Sequence, residues 1–243
     1  MLEKLKQEVF EANLMLPKEG LVKFTWGNVS GIDQESGLVI IKPSGIEYDA
    51  MTVNDMVIVD LQGNVVEGKL KPSSDTETHL VLYRDFENIG GIVHTHSRWA
   101  TIYSQIGQPI APYGTTHADY FGGIIPCTRD MKITEVEGDY EKETGKVIVE
   151  CFKGLNLNPD DIPSVLVKNH GPFSWGANPK KAVENAVVLE EVAMMAWYTQ
   201  MVTNGVMPYY LLHKHFYRKH GPGAYYGQHQ KKIMSRDLND EER

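Results

Sequence analysis

The stretch Gly90-Gly91-Ile92-Val93-His94-Thr95-His96 is an apolar run that ends in two histidines. Such a run is typical of a buried β-strand, on which residues two apart point to the same face at a Cα spacing of roughly 6.6 Å. His94 and His96 are therefore spaced to share one metal ion, with Thr95 on the opposite face. An isolated pair of this kind is more often two half-exposed strand histidines, so the metal hypothesis depends on the rest of the chain.

A third histidine, His170, follows a second predicted strand and lies in the turn Asn169-His170-Gly171-Pro172. Asp75 could add a carboxylate to the three imidazoles. This donor set suits zinc, or another divalent ion such as manganese, and leaves coordination positions for substrate oxygens. The spacing from 96 to 170 does not by itself bring these residues together.

Two turns rich in serine, Pro43-Ser44-Gly45 and Pro72-Ser73-Ser74, offer hydroxyl and N–H donors. Asn28 and Lys42 lie near the first turn in sequence. Together these groups could cradle a phosphate, and a capping box of Ser74 and Glu77 predicts a helix whose first turn adds N–H donors. Ordinary turn chemistry is the alternative, because serine, glycine and proline dominate turns in general.

The hydrophobic periodicity predicts one α/β domain. Strands are expected at residues 21–26, 39–42, 55–60, 65–69, 90–96, 165–168 and up to 175, with a tight turn at 27–30. Helices are expected from residue 2 to just before Pro17 and at about 74–85, 98–106 (capped by Ser97), 141–152, 179–201 (capped by Asn178) and 208–219. The final residues, 229–243, are charged and lack apolar spacing, which indicates a loose tail.

Composition excludes several classes of partner. The 243 residues are 42% hydrophobic and carry 24 Lys and Arg against 32 Asp and Glu, a net charge of −8 with histidine neutral. That surface is expected to repel nucleic acid and anionic membranes. The N-terminal stretch lacks the apolar core of a signal peptide, and Cys127 and Cys151 form no CxxC pair. A cytoplasmic protein with reduced thiols is expected.

Six motifs together resemble the class II aldolase and epimerase family, and within it the epimerases that act on pentulose 5-phosphates. The motifs are residues 25–30, 42–45, 71–76, 91–97, 114–121 and 169–173. The resemblance extends over residues 1–228. It implies a class II aldolase-like α/β fold in a single domain, with a central, mainly antiparallel β-sheet flanked by helices.

The resemblance also implies a role for each matching position. Metal ligands would be Asp75, His94, His96 and His170, and the substrate or its phosphate would contact Asn28, Lys42, Ser44, Gly45, Ser73, Ser74, Thr115, His215 and Arg218. Proton transfer would fall to Asp119 and Tyr226. Members of the family form homotetramers with active sites between subunits. The residues that would reach in from the neighbouring subunit are Thr115, Asp119, His215, Arg218 and Tyr226.

The implied activity is the interconversion of L-ribulose 5-phosphate and D-xylulose 5-phosphate. The C4 hydrogen of such a 2-ketose is not adjacent to the carbonyl, so its removal would give an unstabilised carbanion. Cleavage of the C3–C4 bond gives glycolaldehyde phosphate, which contains C4 and C5, and the enediolate of dihydroxyacetone instead, and re-addition to the opposite face of the aldehyde inverts C4. Two groups are then needed to remove and return the C4 hydroxyl proton.

Two alternatives remain open at this point. A sugar-phosphate aldolase of the L-fuculose-phosphate type would share the fold and the first half of the chemistry, but these enzymes typically carry glutamate where Asp75 stands. A binding module similar to the adducin head would lack the metal histidines, whereas His94, His96 and His170 are all present.

Overall fold

A seven-stranded sheet forms the centre of the computed structural model, which describes residues 2–226. Its strands are β1 (Asn28–Asp33), β2 (Leu38–Ile41), β3 (Val57–Val59), β4 (Val65–Glu67), β5 (Gly91–His94), β6 (Ser164–Leu166) and β7 (Pro172–Gly176). The order across the sheet is β4-β3-β2-β1-β5-β7-β6, and every neighbouring pair is antiparallel. The expected mainly antiparallel sheet is confirmed, while the expected tail at 229–243 lies outside the described residues.

Helices cover both faces of the sheet. They are α1 (Leu2–Lys18), α2 (Thr76–Asp85), α3 (Arg98–Ile106), α4 (Thr115–Ala118), α5 (Ile133–Val136), α6 (Tyr140–Gly154), α7 (Pro179–Gln200) and α8 (Tyr209–Lys219), with a short 3₁₀ turn at Val53–Asp55. Neighbouring residues of a strand face opposite sides of the sheet and belong to different hydrophobic clusters. Val39 and Ile92 pack in the cluster that contains residues of α2 and α6. Ile40 and Val93 pack in the cluster that contains residues of α1. No helix within residues 2–226 combines the length and apolarity needed to cross a membrane.

The register of the central strands positions the candidate site. Asn28 at the start of β1 pairs with His94 at the end of β5, and His94 pairs with Phe173 of β7. The turn that carries His170 directly precedes β7, so pairing of β7 with β5 brings it to the end of β5. Residues distant in sequence therefore meet where the central strands β1, β5 and β7 begin or end.

The strand predicted at residues 21–26 is wrong, as is the tight turn predicted at 27–30. Phe24 and Gly27 both have positive φ, at 51° and 78°, and the Trp26 N–H donates to the carbonyl of Lys23. Left-handed residues interrupt an extended strand, so the segment is irregular and β1 begins only at Asn28.

Three predicted helix ends also differ from the structure. The capping box of Ser74 and Glu77 does not form, because α2 begins after Asp75 with no side-chain cap. Ser97 precedes α3 without capping it, and the carboxylate of Glu190 accepts the free N–H groups of that helix instead. Helix α1 continues through Pro17. The predicted cap of α7 is confirmed, since the Asn178 side chain accepts the N–H of Lys181 at 2.9 Å.

Candidate metal centre

The structure brings the three predicted metal histidines together. One ring nitrogen from each of His94, His96 and His170 lies within 4.8 Å of the other two, and the Nε2 atoms of His94 and His96 are 3.2 Å apart. His94 is the last residue of β5, and His96 follows the strand rather than lying within it. Asp75 lines the same cleft but is outside the three-histidine cluster.

Hydrogen bonding fixes the tautomer of His94. Its Nδ1 lies 3.0 Å from the carbonyl oxygen of Pro172, which can only accept, so Nδ1 carries the hydrogen. The lone pair on Nε2 then faces the other two imidazoles. Two nitrogens bound at 2.0–2.1 Å to a tetrahedral zinc ion lie roughly 3.3 Å apart. The 3.2 Å separation of His94 and His96 therefore fits a shared divalent ion.

A sharp turn sets the position of His170. Asn169 adopts a left-handed conformation with φ of 61°, and a Cβ on Gly171 would lie only 2.7 Å from the carbonyl oxygen of Thr95. Glycine is thus required for the turn to lie against the end of β5. The carboxylate of Asp130 accepts hydrogen bonds from the Asn169 amide at 3.0 Å and the Lys168 ammonium at 2.6 Å, which anchors the turn from outside.

Burial favours the neutral imidazole at two of the three histidines, His170 and His96. Burial lowers the pKa of His170 to about 4, with further lowering by the imidazoles of His94 and His96, while Asp75 acts in the opposite direction. Burial, followed by His94, also lowers the pKa of His96. Neutral imidazoles have the lone pairs that metal binding requires.

The cluster opens into a cleft of about 440 Å³. Besides the histidines and Asp75, the cleft is lined by Trp26, Gly27, Ser74, Tyr140 and Glu141. The Tyr140 hydroxyl lies 3.4 Å from Nδ1 of His170, and the Trp26 indole lies 6.3 Å from the His96 ring. Sequence reasoning missed Tyr140 and Glu141, because they belong to no motif and reach the cleft only through the packing of α6.

Asp75 is held by Asn28, whose amide donates to its carboxylate at 2.6 Å and to the Ser73 hydroxyl at 3.0 Å. Burial acts to raise the pKa of Asp75, but the imidazoles of His94 and His79, together with the Asn28 amide, bring it below the ordinary value. His79 was also missed by sequence reasoning. It lies one helical turn after Asp75 in α2, fully buried, with Nδ1 2.7 Å from the Ser30 hydroxyl.

The two serine turns lie side by side, as the phosphate hypothesis requires. Pro43 and Pro72 form a β-bridge, the N–H of Ser44 donates to Lys71, and the N–H of Ser73 donates to Lys42. These two N–H groups are therefore already paired, so the expectation that both turns offer backbone donors is wrong at these positions. The exposed residues Ser44, Gly45 and Ser74 surround the junction.

Lys42 is a buried cation beside these turns. Its side chain is 1% exposed, and Nζ donates to the carbonyl oxygens of Ile46 at 2.8 Å and Pro43 at 3.3 Å. Within residues 2–226 no carboxylate lies within 4.0 Å of it, and burial lowers its pKa although the more distant Glu47 carboxylate acts in the opposite direction. A buried ammonium without a carboxylate is stabilised by any anion that reaches it.

The remaining predicted positions gather elsewhere in the chain. The carboxylate of Asp119 accepts hydrogen bonds from Arg218 at 2.8 Å and pairs with His215 at 3.0 Å, and the Tyr226 ring lies 4.7 Å from the Arg218 guanidinium. Burial acts to raise the pKa of Asp119, but these bonds and the nearby Lys219 lower it. Neither this group nor Thr115, at the start of α4, lines the cleft of the three histidines.

The sequence of residues 7–197 matches the family model described as the class II aldolase and adducin N-terminal domain. The chain belongs to this family. It is also 57% identical, over 229 residues, to the L-ribulose-5-phosphate 4-epimerases UlaF of Salmonella paratyphi A and Salmonella typhi, which covers 93% of this chain and all of each relative. The predicted resemblance to the class II aldolase and epimerase family is confirmed, and so is the closer resemblance to its pentulose 5-phosphate epimerases.

Solved structures show the same family fold. An L-fuculose 1-phosphate aldolase superposes with a TM-score of 0.71 at 25% identity, covering 88% of this chain and 95% of the aldolase. An L-fuculose 1-phosphate aldolase from Glaciozyma antarctica superposes with a TM-score of 0.74 at 18% identity, covering 91% of this chain and 84% of that chain. The second likeness concerns the fold alone.

Proposed function

We propose that the protein is an L-ribulose-5-phosphate 4-epimerase, which converts L-ribulose 5-phosphate to D-xylulose 5-phosphate and back. The observation that carries the proposal is the 57% identity to curated epimerases over their whole length. The three converging histidines support it from the geometry, because together they can hold the metal ion that the family resemblance implies.

His94, His96 and His170 would hold a divalent ion, for which zinc is the first choice, with Asp75 beside it. When bound, the ion supplies Lewis-acid stabilisation of the negative charge that develops as the C3–C4 bond breaks. The His94 hydrogen bond to Pro172 would keep that ring in the metal-binding tautomer throughout the cycle.

The substrate phosphate would bind near Lys42, with the hydroxyls of Ser44, Ser73 and Ser74 and the amide of Asn28 around it. The buried ammonium of Lys42 supports this assignment, since within residues 2–226 it donates to backbone carbonyls and no carboxylate lies within 4.0 Å of it. Thr115, His215 and Arg218 would contact the substrate from a neighbouring subunit.

Asp119 and Tyr226 would transfer the C4 hydroxyl protons on opposite sides of the aldehyde. The bonds from Arg218 and His215 favour the ionised form of Asp119, which makes it the proton acceptor in one direction and Tyr226 the donor. Both residues lie outside the cleft of their own chain, so we propose that a neighbouring subunit completes each active site. The family resemblance implies a homotetramer, and we propose a cytoplasmic location.

A class II sugar-phosphate aldolase is the second candidate, favoured by the structural likeness to an L-fuculose 1-phosphate aldolase. The two activities separate in one experiment with L-ribulose 5-phosphate and product identification by NMR. An epimerase accumulates D-xylulose 5-phosphate, whereas an aldolase releases glycolaldehyde phosphate and dihydroxyacetone. A protein that does neither, and binds no metal, would instead support a binding module of the adducin type.

A further inference from the structure

Tyr48 contacts both halves of the proposed site. Its ring lies below Lys42, with Nζ 4.9 Å from the ring centroid. Its hydroxyl lies 2.8 Å and 2.9 Å from the carbonyl oxygens of Trp26 and Gly27, and its single hydrogen donates to this pair. Tyr48 is only 6% exposed, so both contacts lie in the protein interior, where an unpaired carbonyl is costly.

The backbone that Tyr48 holds is a wall of the metal cleft. Gly27 approaches β5 so closely that a Cβ would lie 2.8 Å from the carbonyl oxygen of His94. The adjacent Trp26 indole lies 6.3 Å from the His96 ring. The Trp26–Gly27 backbone, which accepts the Tyr48 hydrogen bonds, therefore lies between Tyr48 and the two metal histidines His94 and His96.

This wall has little regular secondary structure to hold it. Residues 21–27 belong to no helix or strand, and both Phe24 and Gly27 have left-handed φ values. A non-glycine residue in that conformation persists only where surrounding contacts impose it. The bonds from the Tyr48 hydroxyl are contacts of this kind, and they reach the segment from the loop that follows Lys42.

We propose that Tyr48 is a positioning residue that fixes the metal-histidine wall relative to the phosphate-binding Lys42. Its hydroxyl holds the Trp26–Gly27 backbone against His94 and His96, while its ring supports the Lys42 side chain. The inference rests on the proposed function, because it takes Lys42 as the phosphate cation and the histidines as the metal ligands.

Three variants separate the two contacts. Tyr48→Phe keeps the ring and removes the hydroxyl, whereas Tyr48→Leu removes both. The matched control is Tyr103→Phe, which removes the hydroxyl of another buried tyrosine, one that accepts from Gln200 at 2.7 Å between α3 and α7. For each protein, zinc affinity is measured by competition with a chromophoric chelator, and the affinity for inorganic phosphate by calorimetry.

Tyr48→Phe is expected to bind zinc about tenfold more weakly, the lower end of the loss caused by removing a group that hydrogen-bonds a metal ligand directly, because Tyr48 acts through the Trp26–Gly27 backbone. Its phosphate affinity is expected to stay within twofold of the unmodified protein. Tyr48→Leu is expected to lose affinity for both, and Tyr103→Phe for neither. Zinc affinity of Tyr48→Phe within twofold of the unmodified protein would overturn the proposal, as would an equal loss in Tyr103→Phe, since that result marks a general packing role.

Hydrogen exchange of residues 22–28 in the zinc-free protein tests the same inference without metal or substrate. Faster exchange is expected in Tyr48→Phe and not in Tyr103→Phe, and unchanged exchange in Tyr48→Phe would overturn the role of the hydroxyl. An unmodified protein that binds zinc and phosphate but does not epimerise L-ribulose 5-phosphate would contradict the proposed function alone, leaving these affinity and exchange measurements valid.

Discussion

Acidification is expected to destabilise the protein through His117, a residue of the short helix α4. His117 is 3% exposed, and its Nε2–H donates to the carbonyl oxygen of Gly123 at 2.7 Å. Burial lowers the pKa of His117 from 6.5 to about 4, although the bond to Gly123 acts in the opposite direction. The unfolded chain therefore binds a proton at a pH where the folded chain does not.

The direction and size of the change in the free energy of unfolding follow from that difference in pKa. Because the pKa of His117 is lower in the folded than in the unfolded chain, its neutral form costs no stability above pH 6.5. As the pH falls from 6.5 towards 4, protonation of the unfolded chain progressively lowers the free energy of unfolding. At pH 5 the loss from His117 alone is about 2 kcal/mol. For a chain of this size that corresponds to a fall in Tm of roughly 4–8 °C.

The assay compares the unmodified protein with His117→Gln, whose amide can still donate to Gly123 but does not titrate. Urea unfolding is followed at pH 7 and pH 5 in zinc-free buffer, so that metal release does not enter either measurement. The unmodified protein should lose about 2 kcal/mol more than the variant between the two pH values. Equal losses in the two proteins would refute the assignment, because other buried histidines contribute equally to both.

Three further substitutions test the site. His96→Asn should weaken zinc binding by more than about 100-fold, beyond the effect of an outer-sphere change, and unchanged zinc stoichiometry at low free zinc would contradict its role as a ligand. Asp119→Asn should lower kcat by at least about 100-fold with normal zinc content, and full retained activity would exclude its part in proton transfer. Glu190→Ala should lower the free energy of unfolding by about 1 kcal/mol through loss of the α3 cap, and an unchanged urea midpoint would show that the cap contributes nothing.

The metal histidines could be predicted because each sits in a locally recognisable pattern. His94 ends an apolar strand, and His170 lies in a glycine-containing turn before another strand. Local sequence patterns do not predict the pairing of β5 with β7. That pairing is what brings His94 and His170 within reach of each other. Family resemblance supplied that link, since the same motifs occur together in related chains.

The failures came from tertiary contacts that override local preference. Residues 21–26 are rich in strand-forming types, yet Phe24 and Gly27 adopt left-handed conformations in a segment bonded to the distant Tyr48. Ser97 has the residue type of a helix cap, but the carboxylate of Glu190, some 90 residues later, takes the free N–H groups. Neither partner can be identified from the neighbouring sequence.

The most direct test of the reaction is the NMR spectrum of D-xylulose 5-phosphate formed from L-ribulose 5-phosphate in D₂O, with and without a chelator. Cleavage at C3–C4 never breaks the C4–H bond, so the product should carry hydrogen rather than deuterium at C4, and its formation should stop on chelation and resume with zinc. Deuterium at C4, or no xylulose epimer from the zinc-loaded protein, would contradict the proposed epimerisation by carbon–carbon cleavage.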